Sequence, residues 1–254
     1  MTDISEKEFY IENDGLRYHA KLNMPEGKDR CPLCIVFHGF TGHMEERHIT
    51  AVSDVLTSVG IASLRVEMYG HGKSSGEFRD HTLFKWVTGG LAVIDYALGL
   101  DFVTDLLLAG HSQGGLLVML LAGMCAGKIR ALIPLSPAWM IPEKAREGTI
   151  LGVNFDPKII PEEIRSDNWT LDGNYIRTAR MLHPEEAIAG YDGPVLIVHG
   201  DEDESVPVEY AEKAAKLYKN AELVIIRGDN HCYDRHLEEM KNAVKEFAGK
   251  YSDR

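Results

Sequence analysis

The chain has 254 residues, a formal net charge of −12 and a hydrophobic content of 44%. This length suits one domain with a large core and room for an insertion. The excess of acidic residues argues against nucleic acid and against an anionic membrane surface as partners, because both are negatively charged. No apolar run approaches the roughly 20 residues needed to cross a bilayer. The oligomeric state is left open, with a homodimer as one candidate.

The first ten residues are polar and acidic, with neither the basic region nor the apolar region of a signal peptide. We therefore expect a cytoplasmic protein. Four cysteines are too few for a disulfide framework at this length. Cys31 and Cys34 form a C-x-x-C pair, but no second pair exists. We expect partly buried thiols there rather than a metal or redox site.

The order of apolar patterns along the chain indicates the fold class. Residues 9–27 alternate polar and apolar side chains and predict an antiparallel hairpin with its turn at Asp14-Gly15. Short apolar runs then alternate with helical spacings. Strands are predicted at 32–37, 61–66, 106–109, 129–135, 194–199 and 221–226, and helices at 49–60, 84–98, 116–126, 207–219 and 237–247. This alternation predicts an α/β fold with a mostly parallel central sheet and helices on both faces.

Residues 138–190 interrupt the alternation. About 50 residues are too many for an ordinary connection between two core strands. An insertion at the carboxyl ends of the strands would lie over the crevice where open α/β sheets bind ligands. We therefore predict a core domain of residues 1–137 and 191–254, with residues 138–190 as a cap over the active site. The alternative is an insertion far from any chemistry.

The sequence Gly-His-Ser-Gln-Gly-Gly at residues 110–115 lies between an apolar run and a predicted helix. The pattern Gly-x-Ser-x-Gly between a strand and a helix is typical of the nucleophile elbow of a serine hydrolase. The tight turn requires glycine at both flanking positions and pushes Ser112 out above the sheet. Free N–H groups at the helix N-terminus favour negative charge on a reacting oxygen there. A purely structural turn is the alternative.

A serine hydroxyl needs a base, and the base needs an orienting acid. In this architecture the chain order is serine, acid, histidine. The strand at 194–199 runs into four acidic residues. Among them Asp203 stands in a Gly-x-x-Asp-x-x-Val-Pro spacing that resembles the pattern of serine hydrolases with this architecture, and Asp201 is the alternative. The base should lie between the last strand and the last helix, which selects His231. His236 is the competitor, but its position in the terminal helix points away from the sheet edge.

Two backbone N–H groups are needed to stabilise the oxyanion. One is predicted to be that of Gln113, which follows the nucleophile. The other is assigned to Phe40, in the His-Gly-Phe-Thr-Gly loop that follows the strand at 32–37. The sequence at 70–74 ends like a P-loop, but Glu67 stands where the first glycine must be. We therefore interpret residues 70–76 as a turn.

With these motifs in order, the chain resembles the α/β-hydrolase fold over nearly its whole length and, more closely, the bacterial feruloyl (cinnamoyl) esterases. The motifs that carry this resemblance are His38-Gly-Phe-Thr-Gly-His43, Glu45-Glu-Arg-His-Ile49, Met68-Tyr-Gly-His-Gly-Lys-Ser74, Gly110-His-Ser-Gln-Gly-Gly115, Leu135-Ser-Pro-Ala138 and Gly228-Asp-Asn-His-Cys-Tyr-Asp234. Two positions depart from the family's pattern, since Glu67 replaces an expected aspartate and Trp139 replaces an expected small residue.

By this resemblance, Ser112, Asp203 and His231 match the catalytic triad. The implied substrates are small aromatic esters, namely hydroxycinnamates such as ferulate linked to plant cell-wall sugars. The family's cap forms the aromatic-acid pocket and carries a tryptophan that corresponds to Trp169. Trp139 and Tyr175 are the further substrate-binding candidates in the cap, and the bulk of Trp139 would narrow the pocket.

The resulting hypothesis is a carboxylic ester hydrolase that works through an acyl-enzyme and requires no metal or organic cofactor. Its rivals within hydrolases are a monoacylglycerol lipase-like or general short-chain esterase and a thioesterase. A catalytically inactive ligand receptor on the same fold is the alternative from another class.

Overall fold

The computed structural model describes residues 6–252, so that residues 1–5 of the polar N-terminal segment and residues 253–254 lie outside the described range. The strands, numbered in chain order, are β1 (Glu6–Asn13), β2 (Leu16–Asn23), β3 (Cys31–Phe37), β4 (Ala62–Val66), β5 (Val103–His111), β6 (Ala131–Leu135), β7 (Thr149–Ile150), β8 (Val153–Asn154), β9 (Glu163–Arg165), β10 (Thr170–Asp172), β11 (Val195–Gly200) and β12 (Ala221–Ile226). The helices are α1 (Arg47–Ser58), α2 (Leu83–Leu98), α3 (Gln113–Met124), α4 (Ile141–Glu147), α5 (Asn174–Ala179), α6 (Pro184–Ala189), α7 (Val208–Leu217) and α8 (Leu237–Gly249).

One sheet joins eight of these strands in the order β1-β2-β4-β3-β5-β6-β11-β12. β1 and β2 pair antiparallel, as do β2 and β4, and the other neighbours pair in parallel. The first hairpin turns at Asp14 and Gly15, whose φ angles are 48° and 73°. Asp-Gly suits such a turn because both residues tolerate positive φ. The predicted hairpin and the mostly parallel sheet are confirmed.

Helices cover both faces of the sheet, as predicted. α1 and α8 pack on one face, where Ile49, Val52 and Leu56 belong to one apolar cluster, while α2, α3 and α7 contribute to the cluster on the other face. The side chains of β3 alternate between the two clusters, with Cys34 in one and Cys31 in the other. A parallel strand covered on both faces therefore reads as a continuous apolar run. Both cysteines are buried free thiols.

The segment 138–190 begins after the carboxyl end of β6 and contains α4, two hairpins, α5 and α6. The hairpins β7–β8 and β9–β10 pair antiparallel and form separate two-stranded sheets. α6 lies against α3, where a Cβ on Gly123 would be 2.6 Å from the Cα of Ala187. The end of the segment is thus attached to the core. Across residues 6–252, no helix is long and apolar enough to cross a membrane.

Candidate active site

Ser112 alone makes the turn from β5 into α3, with φ 54° and ψ −116°. A non-glycine residue at positive φ is strained and persists only where its surroundings hold it. The Ser112 N–H donates to the carbonyl oxygen of Leu135 at 2.9 Å, and the Ser112 carbonyl oxygen accepts from the N–H of Ala138 at 2.9 Å. The half-buried serine therefore stands at the N-terminus of α3, where the first N–H groups lack helical acceptors.

The loop after β3 lies directly against this turn. A Cβ on Gly114 would collide with the carbonyl oxygen of His38, and a Cβ on Gly39 would lie 3.2 Å from the Cβ of Ser112. Both glycines are therefore needed for the close approach of the two backbones. The approach places the peptide between Gly39 and Phe40 beside the serine, which is where the second oxyanion donor was predicted.

His71 supports the same loop from the other side. Its Nε2 makes a short contact with the carbonyl oxygen of Phe40, and its Nδ1 lies 3.1 Å from the carbonyl oxygen of Tyr69. The side chain is buried, and burial lowers the pKa of His71, although the hydrogen bonds to the two carbonyl oxygens oppose that effect. The predicted turn at 70–76 thus carries an imidazole that holds the oxyanion loop.

Asp203 and His231 meet where β11 and β12 end. Nδ1 of His231 lies 2.6 Å from Oδ2 of Asp203, whose side chain is fully buried, while that of His231 is 18% exposed. Oδ1 of Asp203 accepts the N–H groups of Ser205 and Val206 at 2.8 Å each. Burial by itself would raise the pKa of Asp203, but hydrogen bonds from His199 and His231 outweigh it and hold this pKa below its ordinary value.

The alternative acid and base lie elsewhere. Asp201 is exposed, and its Oδ1 accepts the N–H of Gly228 at 2.6 Å, which closes the turn at the end of β12. His236 precedes α8, and its Nδ1 lies 3.5 Å from Oε1 of Glu239. The structure brings Asp203 and His231 together, and it gives Asp201 and His236 other partners.

Two buried side chains tie the loop of His231 to the neighbouring strands. Nε2 of His111, the residue before the serine, lies 2.8 Å from the carbonyl oxygen of His231, and the two rings are 4.6 Å apart. The hydroxyl of Tyr233 donates to the carbonyl oxygen of Val198 at 2.9 Å and lies 2.9 Å from Oγ of Ser136. The loops that follow β5, β6, β11 and β12 therefore converge on one place.

A cavity of about 810 Å³ opens between the loops that carry Phe40 and Ser205 and the inserted segment. The core contributes Phe40 and Thr41 from the oxyanion loop and Ser205 from the loop of the acid, and most of the remaining lining comes from residues 140–152 and 168–169. Trp169 lines the cavity and packs edge-on against Phe40, with ring centroids 5.3 Å apart. Within residues 6–252, no group of three or more His, Cys, Asp or Glu side chains is arranged to hold a metal ion.

The other two aromatic candidates are buried and do not line this cavity. Trp139 is 5% exposed, and its Nε1 donates to the carbonyl oxygen of Tyr210 at 2.8 Å. The hydroxyl of Tyr175 donates to Oε1 of Gln113 at 2.6 Å. Contact of either side chain with substrate stays a prediction. Tyr175 ties α5 to the residue that was predicted to supply the first oxyanion N–H.

Sequence reasoning missed the supporting side chains His71, His111, His199 and Tyr233. Each lies inside or next to a motif that was recognised, so the signal was present. For three of them the roles depend on contacts between distant parts of the chain, since 31 residues separate Phe40 from His71, 120 separate His111 from His231 and 97 separate Ser136 from Tyr233. His199 instead contacts Asp203 and Val206 in the loop that follows it. A motif spacing carries no information about such contacts.

Comparisons with known proteins agree with this geometry. A family model described as serine aminopeptidase S33 matches residues 28–168, and one described as TAP-like protein matches residues 172–249. The structure of Est1E from Butyrivibrio proteoclasticus with ferulic acid bound has a TM-score of 0.95 and 57% sequence identity, over 96% of this chain and 98% of that one. A second Est1E structure has a TM-score of 0.91 and 54% identity, with the same coverage.

Curated relatives are more distant. Human protein ABHD12B is 25% identical over 77% of this chain, and the chain spans 55% of that protein's length. The mouse mitochondrial palmitoyl-protein thioesterase ABHD10 is 25% identical over 82% of this chain and 72% of its own length.

The fold, the elbow and these matches define a serine ester hydrolase. The first family model covers more than half of the chain, and the Est1E structures cover nearly all of it. The chain belongs to the α/β-hydrolase family.

Proposed function

We propose that this protein hydrolyses esters of hydroxycinnamic acids, such as ferulate, including those of plant cell walls. The observation that carries the proposal is the 57% identity, over 98% of its length, to Est1E, whose structure holds ferulic acid. The cavity supports it, because Trp169 and Phe40 line it with aromatic faces that could pack against a planar ring.

In the proposed mechanism, Ser112 attacks the ester carbonyl while His231 takes the hydroxyl proton. Asp203 orients His231 and stabilises its cation, and the N–H groups of Gln113 and Phe40 stabilise the oxyanion. His231 then protonates the leaving alcohol, which departs and leaves an acyl-serine. Water, deprotonated by His231, attacks this intermediate and releases the acid together with the free serine.

The segment 138–190 is proposed as the cap of this site. Residues 140–152 and 168–169 supply the wall of the cavity that faces Phe40 and Ser205. The cap would therefore determine which acyl groups fit, while the core carries out the reaction. A cytoplasmic location and a homodimer stay predictions.

The proposal is tested by comparing kcat/KM for methyl ferulate, p-nitrophenyl butyrate and a monoacylglycerol, since discrimination between substrates lies in that ratio. We expect methyl ferulate to exceed the others by at least about tenfold. Ser112→Ala should lower kcat/KM for every ester by about 10⁴-fold or more. Wild-type rates in Ser112→Ala would refute the mechanism, and a preference for monoacylglycerol would refute the substrate.

A thioesterase is the second candidate, favoured by the similarity to the palmitoyl-protein thioesterase ABHD10. Adding a palmitoyl thioester to the same panel tests it. A kcat/KM for the thioester above that for methyl ferulate would favour this candidate.

A further inference from the structure

The carboxylate of Asp203 has a second histidine beside it. His199 is the next-to-last residue of β11, and its side chain is fully buried, like that of Asp203. Its Nε2 donates to the carbonyl oxygen of Val206 at 2.9 Å and lies 3.1 Å from Oδ2 of Asp203. Nδ1 of His231 contacts the same oxygen at 2.6 Å. One carboxylate oxygen therefore lies between two imidazoles.

The surroundings of His199 determine where its proton is. Nε2 faces two oxygen atoms, so it carries the ring N–H. Nδ1 is buried and has no hydrogen-bond partner among residues 6–252. A second proton on Nδ1 would be a buried donor without an acceptor, which is costly. The ring N–H on Nε2 of His199 therefore faces both Asp203 and Val206.

This N–H completes the set of donors around the acid. The N–H groups of Ser205 and Val206 hold Oδ1, and the imidazoles of His199 and His231 hold Oδ2. None of these four donors is a lysine or arginine. Hydrogen bonds to the charged form stabilise a buried carboxylate, and donors on both oxygens prevent its rotation. The direction of Oδ2 toward His231 is thus set by donors other than His231 itself.

The backbone around His199 holds the imidazole in place. Gly200, the next residue, packs so closely that a Cβ there would collide with the carbonyl oxygen of Asp229. Asp229 lies two residues before His231, so the end of β11 rests on the loop that carries the base. A donor on this strand end is therefore held at a fixed distance from both the acid and the base.

We propose that His199 is a positioning residue for the catalytic acid, whose N–H shares Oδ2 of Asp203 with His231. His199 keeps the carboxylate of Asp203 turned toward the base. Because His199 uses part of the hydrogen-bonding capacity of Oδ2, less of it is left for the His231 imidazolium. This inference rests on the proposed roles of Asp203 and His231.

A matched pair of variants tests it, because glutamine and methionine have similar length and volume but only glutamine donates. We expect His199→Met to lower the plateau kcat/KM for methyl ferulate by about tenfold. The acidic limb of its kcat/KM–pH profile should move to higher pH by about half to one unit, because Oδ2 of Asp203 then accepts a hydrogen bond from the His231 imidazolium alone. His199→Gln should keep the wild-type limb and lose less than about threefold in rate. Thermal melting of each variant establishes that it is folded.

Other titratable groups face the Asp203–His231 pair, and both variants leave them unchanged. They are His48, His111, Glu46, Cys232 and Tyr233. A difference in the pH profile between the two variants therefore reports the N–H of residue 199.

Asp203→Asn, assayed alongside, separates the triad assignment from the role proposed for His199. An active Asp203→Asn would overturn the triad assignment and this inference with it. If Asp203→Asn is inactive while His199→Met keeps the wild-type rate and limb, the inference alone is overturned. Equal losses in the glutamine and methionine variants with an unmoved limb would show a purely structural role and would also overturn it. If the methionine variant does not fold, a moved limb in folded His199→Gln still contradicts the proposal.

Discussion

The two walls of the active-site cavity are built in different ways. The core wall consists of loops at the ends of long parallel strands, and the loops at this sheet edge also hold Ser112, Ser136 and Tyr233 at positive φ angles of 54°, 41° and 57°. The wall from the inserted segment includes hairpins whose strands have two or three residues. Strain persists where a sheet and buried hydrogen bonds enforce it. The candidate reacting groups therefore lie at the rigid sheet edge, and the proposed substrate-selecting surface lies on the wall that can vary without disturbing the sheet.

Among substitutions in the core wall, we expect Gly114→Ala to lower activity the most. The added methyl would collide with the carbonyl oxygen of His38 and push the elbow away from the oxyanion loop. A displacement of about 1 Å in an active site costs about 100-fold, so kcat/KM for every ester should fall at least that much. The control is Gly127→Ala, an exposed position with nothing within 4 Å of its Cβ, which should keep wild-type kinetics. A fully active Gly114→Ala would contradict the close packing of the elbow.

The corresponding change in the other wall is Trp169→Ala. Loss of an aromatic face beside Phe40 should weaken binding of the aromatic acid by about 1.4 kcal/mol, which is about tenfold in KM for methyl ferulate. The rate with p-nitrophenyl acetate should change less than about threefold, because the reacting groups are untouched. Ile159→Ala, in the same segment and 73% exposed, is the control for both substrates. An equal loss of kcat/KM on both esters would mean that a change in the inserted segment also disturbs the reacting groups of the core wall.

The smallest expected effect is on the stability of the core at acidic pH, which should depend on the buried side chain of His48. Burial lowers the pKa of His48 from 6.5 to about 4, so below pH 6.5 the unfolded chain binds a proton there that the folded chain does not. Stability therefore falls as the pH drops from 6.5 toward 4, by at most about 1.4 kcal/mol per pH unit for this group. In thermal melts between pH 7 and pH 5, His48→Leu should show a shallower loss than the wild type. The exposed His183→Leu should follow the wild-type slope, and identical slopes in all three proteins would refute the assignment.

The core of the fold follows from local patterns. Apolar runs and helical spacings predicted the strands and helices of the main sheet, because a parallel strand buried on both faces and an amphipathic helix each leave a periodic signature. The inserted segment was recognised by its length, but its hairpins were not predicted. Strands of two or three residues are too short to show a period.

Candidate site residues divide along the same line. Ser112 lies in a motif of consecutive residues, and its flanking glycines follow from the turn itself, so the sequence suffices for both. The choice between Asp203 and Asp201 needed the spacing typical of this fold, whereas in the structure only one of the two carboxylates contacts His231. Trp139 and Tyr175 were selected as aromatic side chains of the cap, but aromatic character does not determine whether a ring faces a cavity or packs beneath its wall.

The sequence by itself determined the fold class and the order of the site motifs, including the motif of the candidate nucleophile, because each of these is written in neighbouring residues. Tertiary structure decided how the site is supported. His71 on the oxyanion loop, His111 on the base and His199 on the acid are joined to their partners by hydrogen bonds or close contacts with backbone or carboxylate oxygens. A histidine becomes a buried donor only when the fold places an acceptor beside it and removes water. For His71 and His111 that placement is a property of the assembled sheet ends and of no single stretch of the chain. For His199 it depends on how one loop folds back on the strand end.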